Sequence, residues 1–174
     1  MGETAINLLE SKFPKLLSKF KSEVVSAEDT RGDLCVVVKP ERIREIITFL
    51  KTDSETQFAM MTDLFGMDYS KFEPETPERF AVVYILYSFI LKEHIRLKVF
   101  LPEAQPKIDS IHEVYKAANW FEREAWDLFG IEFSGHPNLI RILCHNDFEG
   151  HPLRKDYPSD QYQRLKNAAP STGF

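Results

Sequence analysis

Four side chains able to bind a metal, His136, Cys144, His145 and His151, fall within sixteen residues of one another. Zinc fingers need paired ligands at short, fixed separations, and this spacing matches none of them. His136 and His151 each sit in a Gly-His-Pro triplet, where glycine and proline shape a turn and the imidazole can hydrogen-bond to backbone. An independent metalloenzyme built on these four residues is therefore an alternative reading rather than the leading one. The two cysteines, Cys35 and Cys144, lie far apart without a CxxC spacing, whereas an iron–sulfur cluster normally takes four thiolates. A disulfide framework is equally unsuited to two cysteines in 174 residues. Both read as reduced thiols, with Cys35 in a strand core, which points to a reducing, cytoplasmic compartment. There is no G-x-S-x-G elbow and no Gly-rich phosphate loop, and 7 glycines are few for cradling a cofactor with bare backbone. The expectation is a chain with no catalytic residues, no cofactor and no metal of its own.

One carboxylate stands out. On a helical wheel at about 100° per residue, Ile111, Val114, Tyr115, Ala118, Phe121, Ala125, Leu128 and Phe129 form one apolar stripe. Glu113, Lys116, Arg123, Glu124 and Asp127 fall on the opposite side, and Glu122 lies inside the stripe between Ala118 and Ala125. A bare buried carboxylate costs several kcal/mol, so Glu122 must be paired, hydrogen-bonded or protonated. The expected arrangement is a buried ion pair that pins the following loop, with Arg141, Arg154 or Lys155 as the cation; a protonatable or interface carboxylate is the functional alternative. Glu122 and Glu124 face different sides of the helix and make no acid–base dyad.

The tail carries recognition groups rather than catalytic ones. His151-Pro152-Leu153-Arg154-Lys155-Asp156-Tyr157-Pro158 mixes charges, an aromatic ring and prolines that hold the chain extended. An extended segment cannot satisfy its own backbone hydrogen bonds, so it must lie on a surface or add to a partner. Residues 150–158 are expected to dock, and residues 167–174 to form a solvated, disordered end.

The elements that must position these residues follow from periodicity and punctuation. A helix is expected over 4–20, kinked or divided by Pro14, then a short strand at 23–27 and a hairpin turn at 28–33 leading into the strand LCVVVK. Pro40 opens a second helix at 41–51 with Ile43, Ile46, Ile47 and Leu50 as its stripe. Three strands are expected at 58–69, 80–89 and 94–101; in the last, Arg96 and Lys98 point away from Ile95, Leu97, Val99 and Leu101, so one sheet face is covered and one is wet. Pro74 and Pro77 fall in a charged loop. The helical period then spans 109–129, and the chain becomes irregular after Gly130. This order implies an α+β fold, a two-layer sandwich with helices on one face of a mixed or antiparallel sheet, a further C-terminal helix and an extended C-terminal arm. The domain expectation is a core over 1–131 and an arm over 132–174. A net charge of −5 disfavours nucleic acid. The N-terminus lacks a basic region followed by an apolar run, so no signal peptide is read there, and the apolar run at 80–91 is too short to span a bilayer.

Three ordered motifs carry a resemblance. Glu122-Arg123-Glu124-Ala125-Trp126-Asp127-Leu128-Phe129-Gly130-Ile131, the run Gly135-His136-Pro137-Asn138-Leu139-Ile140-Arg141-Ile142-Leu143, and residues 150–158 are together similar to the thirty-kilodalton subunit family of respiratory complex I, the C subunit of bacterial NADH:quinone oxidoreductase. The resemblance implies a two-layer α-β(2)-α-β(3) fold and a place in the hydrophilic arm, peripheral on the cytoplasmic side of the bacterial inner membrane. It implies no flavin and no iron–sulfur cluster. The implied partners are the forty-nine-kilodalton subunit (the D subunit in bacteria), embraced by the C-terminal segment near the quinone end of the electron path, and neighbouring iron–sulfur subunits. Glu122, Arg123, Glu124, Asp127, His136, Arg141, His151, Arg154, Lys155 and Asp156 are the interface or structural residues, and the charges of the arm are assigned to the partner. Many members carry a second basic residue where Ile140 stands. Membrane-bound hydrogenases and ferredoxin-dependent complexes use the same signature, so the same role in such a complex is the alternative.

Overall fold

The computed structural model describes residues 2–30, 32–72, 76–160 and 163. Pro14 divides the first helix into α1 (Gly2–Lys12) and α2 (Pro14–Phe20). Lacking an N–H, it sits where none is needed, in the first turn of α2, with Phe13 at φ −134° as the joint. Leu9, Phe13, Leu16 and Phe20 are buried by this pair. The hairpin of β1 (Val24–Thr30) and β2 (Asp33–Val38) is tighter than expected, because both strands run up to the turn. Asp29 Oδ1 accepts the Gly32 N–H at 2.7 Å, and Gly32 takes a φ of +92°. A 3-10 turn at Pro40–Arg42 leads into α3 (Ile43–Thr52), whose Ile43, Ile46, Ile47 and Leu50 are all fully buried.

β3 (Met60–Asp68), β4 (Phe80–Ser88) and β5 (Glu93–Leu101) complete a five-stranded sheet ordered β1-β2-β5-β4-β3. It is mixed: β2 and β5 are parallel and the other pairs antiparallel. Parallel neighbours need a long crossover, here supplied by α3, β3 and β4. Pro74 and the end expected over 167–174 lie outside the described residues. One face of the sheet, including Val36, Leu64, Val82, Tyr84, Leu97 and Val99, joins the buried faces of the helices in a single core. The expected α+β sandwich with helices on one side is what the structure shows.

Three features depart from expectation. β6 (Lys107–Asp109) and β7 (Glu132–Ser134) pair in parallel; three residues are too few to display a period of two. β7 lies beyond residue 131 yet pairs with β6 and buries Phe133, so the chain stays tied to the core past that point. The helix expected over 109–129 is α4 (Ala118–Phe129) only. Residues 111–117 form successive turns, with Val114 N–H bonded to Ile111 O and Ala118 N–H to Tyr115 O, and consecutive turns imitate the helical spacing of apolar residues. Gly130 ends α4 in the left-handed conformation (φ +74°), its N–H donating to Trp126 O. No helix among the described residues is long and apolar enough to cross a membrane.

Candidate functional site

Glu122 is fully buried, as its place in the apolar stripe requires. Its partner is not a cation. Oε2 accepts the Ser110 hydroxyl at 2.5 Å and Oε1 the Ile111 N–H at 2.7 Å, and among the described residues no Lys or Arg makes an ion pair with it. The expected pairing with Arg141, Arg154 or Lys155 is thus corrected: Arg141 pairs with Asp127, Arg154 donates to the Phe129 carbonyl, and Lys155 is held by its backbone amide on Asp68. Burial pushes the Glu122 carboxyl up to about 7, against the lowering effect of the Ser110 and Ile111 hydrogen bonds and of Arg44. Ser110 also lies 3.0 Å from His112 Nδ1. Glu122 therefore locks the end of β6 to the middle of α4.

Asp127, assigned to the polar side of the wheel, is also fully buried. The wheel describes one helix; what covers Asp127 is chain that follows it. Oδ2 accepts the backbone N–H groups of Ile142, Leu143 and Cys144 at 3.0, 2.8 and 2.8 Å. Oδ1 lies 2.6 Å from Arg141 Nη1, while Arg141 Nη2 donates to the carbonyls of Phe148 and Gly150. Burial alone would raise this carboxyl, but the three amides and the guanidinium outweigh it and hold it down to about 2. A carboxylate taking several backbone N–H bonds beside an arginine stays charged at any physiological pH.

The chain then crosses the C-terminal end of α4, where the last carbonyls of a helix lack intrahelical partners. His151 Nδ1 donates to Asp127 O at 2.9 Å, Leu153 N–H to Leu128 O at 3.0 Å, and Arg154 Nε to Phe129 O at 2.6 Å. Burial lowers the His151 pKa, keeping the ring neutral. Two cations, Arg141 and Arg154, thus sit at the negative end of the helix dipole. Gly130 makes the crossing possible, since a Cβ there would lie 2.4 Å from Arg154 Nη2 and 2.6 Å from His151 Nε2. Residues 151–157 are not extended; they form turns in which Arg154 N–H bonds to His151 O and Tyr157 N–H to Arg154 O.

A second buried carboxylate anchors the far end of this strap. Asp68, at the end of β3, faces Arg79, with Nη2 2.9 Å from Oδ2 and Nε 3.2 Å from Oδ1. Lys155 N–H donates to Asp68 Oδ2 at 2.8 Å, and Asp156 Oδ1 reaches Arg79 Nη2 at 2.8 Å. Burial works against ionisation here, yet Arg79 with the Lys155 and Ser70 amides holds Asp68 well below the usual carboxylate range. Asp68 and Arg79 were not anticipated. The only signal was a charged residue closing the otherwise apolar LFGMD run. Arg141, Arg154 and Asp156 therefore find their partners within this chain, and the expectation that the charges of residues 135–158 belong to a partner is corrected on that point.

The proposed ligand set does not converge. His136 Nε2 donates to Asn119 O at 3.1 Å while its Nδ1 accepts the Asn138 N–H, and burial lowers its pKa. His145 Nδ1 accepts the Asp147 N–H, and Cys144 meets Asp127 through its amide. Among the described residues no group of three or more His, Cys, Asp or Glu side chains is placed to hold a metal.

Once these internal bonds are made, a distinct set still faces outward. Arg123 stacks on Trp120 (5.1 Å to the ring centre) and donates from Nε and Nη2 to the carbonyls of Ile140 and Arg141. It joins exposed Trp120 to exposed Ile140 and Leu143. On another side of α4, Glu124 rims a cleft of about 150 Å³ floored by Gly66, Ala125 and Phe129 and flanked by Leu153. Lys155 is exposed as well. Rigid apolar anchors around an arginine are the composition of a protein-docking surface.

Comparison with known proteins bears on this geometry. The family described as respiratory-chain NADH dehydrogenase, 30 Kd subunit, matches residues 36–163, a span running from β2 through the strap. The C subunit of NADH-quinone oxidoreductase from Geobacter metallireducens is 48% identical over 145 residues, 83% of this chain and 86% of the relative. The protein of the same name from Rhodobacter capsulatus is 46% identical over 144 residues, 83% of this chain and 70% of the relative. Among solved structures, a trypsin-resistant fragment (1–134) of Nqo5 is similar with a TM-score of 0.65 and 34% identity, over 75% of this chain and 98% of the fragment. A chain of the membrane-bound sulfane sulfur reductase, an archaeal respiratory membrane complex, shares the fold with a TM-score of 0.71 at 22% identity, over 92% of this chain and 98% of its own. The chain belongs to the family of the 30 Kd subunit of respiratory-chain NADH dehydrogenase.

Proposed function

We propose that this chain is a cofactor-free scaffold subunit in the hydrophilic arm of a proton-pumping NADH:quinone oxidoreductase. It contributes no catalytic residue. It binds the forty-nine-kilodalton subunit near the quinone site and holds that subunit and the neighbouring iron–sulfur subunits in register while electrons pass through them from NADH to quinone. The arm lies on the cytoplasmic side of the bacterial inner membrane, and this chain meets the membrane only through the complex. Family membership supports the reading, and so does the chemistry of the thiols, since Cys35 and Cys144 are too few for a cluster.

The observation that carries it is the docking surface of Trp120, Arg123, Ile140 and Leu143, held rigid from beneath by Asp127. Such anchors dominate binding energy when a partner desolvates them. The test is co-purification of the full chain with the forty-nine-kilodalton subunit, comparing wild type with the Trp120→Ala, Leu143→Ala double variant. Both side chains are exposed, so the variant keeps its thermal midpoint. Its dissociation constant should rise by about tenfold or more, the equivalent of ~1.4 kcal/mol. Failure of the two chains to co-purify, or equal binding by the double variant, would refute the proposal.

A further inference from the structure

The sheet has a second face, and none of the described helices covers it. Cross-strand pairing places Val37, Lys98, Val83 and Phe65 in one row across β2, β5, β4 and β3. Adjacent rows align Arg96 with Ile85 and Phe100 with Ala81. None of these apolar side chains belongs to the core on the helical side. Strand β4 is apolar on both faces, a pattern expected of a strand enclosed on both sides rather than half-solvated. At strand spacings of about 4.8 Å and rises of about 3.3 Å per residue, the face measures roughly 600 Å². That is the same order as the ~800 Å² each partner contributes to a standard protein interface.

Its charge selects the occupant. Arg96 is engaged by Asp33 at 2.6 Å. Lys98, in the central strand, makes no ion pair among the described residues and rests its ammonium 5.7 Å from the Tyr69 ring and 5.9 Å from the Phe100 ring. The carboxylates of this face, Glu28 and Asp63, stand on its outermost strands β1 and β3 in the row of Arg96, and sheets stack about 10 Å apart, so a second copy centred on the same strand would set Lys98 against Lys98 in a drying interface. The centre of the face is flush, with Val83 only 4% exposed, and its exposed aromatics stand at its two ends, Phe72 against Tyr69 and Phe89 against Tyr87. We infer that the open sheet face, centred on Lys98, is a second docking surface that takes an apolar protein surface carrying a carboxylate opposite Lys98. This rests on the reading of the chain as a subunit, and it sets the chain between two neighbours, one on each side.

The assembled complex, purified from its membrane, is treated with a water-soluble carbodiimide, and its side chains are separately oxidised with hydroxyl radicals alongside the isolated full chain. A Lys98 amine joined to an Asp or Glu of another subunit is expected, with oxidation of Phe100, Phe65 and Met67 (the cross-strand neighbour of Ala81 on this face) at least fivefold lower in the complex. Lys98→Glu should reduce incorporation about tenfold, Lys98→Arg should not, and both should keep the wild-type thermal midpoint. Equal oxidation in the two states, Lys98 joined to a second copy of this chain, or protection by anionic phosphatidylserine vesicles alone would overturn the inference. A chain present in the complex with this face unprotected overturns the inference only. A chain absent from the complex overturns the subunit reading and the inference with it.

Discussion

Replacing Asp127 with asparagine removes one charge from a socket that five groups complete: the carboxylate, three backbone amides and the Arg141 guanidinium. An ordinary aspartate titrates near 3.9, and this one is held at about 2. At about 1.36 kcal/mol per unit of difference, the charged form contributes about 2–3 kcal/mol to the folded state. Because the folded pKa is the lower one, that contribution is complete above about pH 5 and is lost as the pH falls through 4 towards 2. Asp127→Asn should therefore be less stable than wild type by about 2–3 kcal/mol at pH 7, a gap that closes as the pH approaches 2. The assay is urea unfolding of the full chain between pH 2 and 8, followed by tryptophan fluorescence. Trp126 is a suitable reporter, since its ring lies 5.8 Å from the Arg141 guanidinium and 6.3 Å from the His151 ring. A variant within about 0.5 kcal/mol of wild type at pH 7, the usual span for a surface substitution, would refute the socket. A gap that stays constant down to pH 2 would refute its electrostatic origin.

Glu122 should behave in the opposite sense: its pKa is raised to about 7, so its stabilising state is the protonated one, complete below about pH 4 and lost as the pH rises through 7. Glu122→Gln should match wild type below about pH 4 and exceed its stability by about 3 kcal/mol at pH 8, measured by the same urea series; a less stable variant at pH 8 would contradict the burial argument. Gly130→Ala combines a φ of +74° with contacts of 2.4 and 2.6 Å to the strap, and should cost about 2 kcal/mol or more, read as a lower thermal midpoint and faster trypsin cleavage at Arg154; unchanged cleavage would mean that the strap does not pack on α4. Arg79→Ala strands buried Asp68 without its cation and should cost about 3–5 kcal/mol; calorimetry of the full chain checks it, and a loss below about 1 kcal/mol would show that the Lys155 and Ser70 amides suffice.

Wherever burial followed from a repeating pattern, the sequence was a good guide. Pro14 and Pro40 marked helix starts, Ile43 to Leu50 gave α3 its stripe, and the alternation of Ile95 to Leu101 assigned one face of β5 to the core. The same alternation marked the other face as wet, and Lys98 and Arg96 do lie there, but beside Val83 and Phe100, with Val83 contributed by a neighbouring strand. Glu122 was legible as a misplaced carboxylate because its own helix buries it. Asp127 was not, because three of the groups that hold it come fifteen to seventeen residues later, as amides that carry no side-chain signature. Asp68, Arg79 and Asp156 meet across 88 residues of chain, a convergence that no local period reports. Ile111 to Ala117 imitated a helix because turns repeat apolar residues at nearly the same interval.

The docking surface has a birth order. Trp120 and Arg123 come from α4, whereas Ile140 and Leu143 arrive only when Asp127 captures the amides of residues 142–144. α4 in turn packs on β3, at the edge of a sheet whose centre, the parallel β2–β5 pair, closes across some sixty residues. Non-local closures of this kind come late in folding. A chain stalled before that point presents Trp120 without its companions, and a partner that needs all four side chains finds nothing complete to hold. On the proposed scaffold reading, the Asp127 socket couples folding to assembly, since only a chain that has captured the amides of residues 142–144 presents all four side chains together.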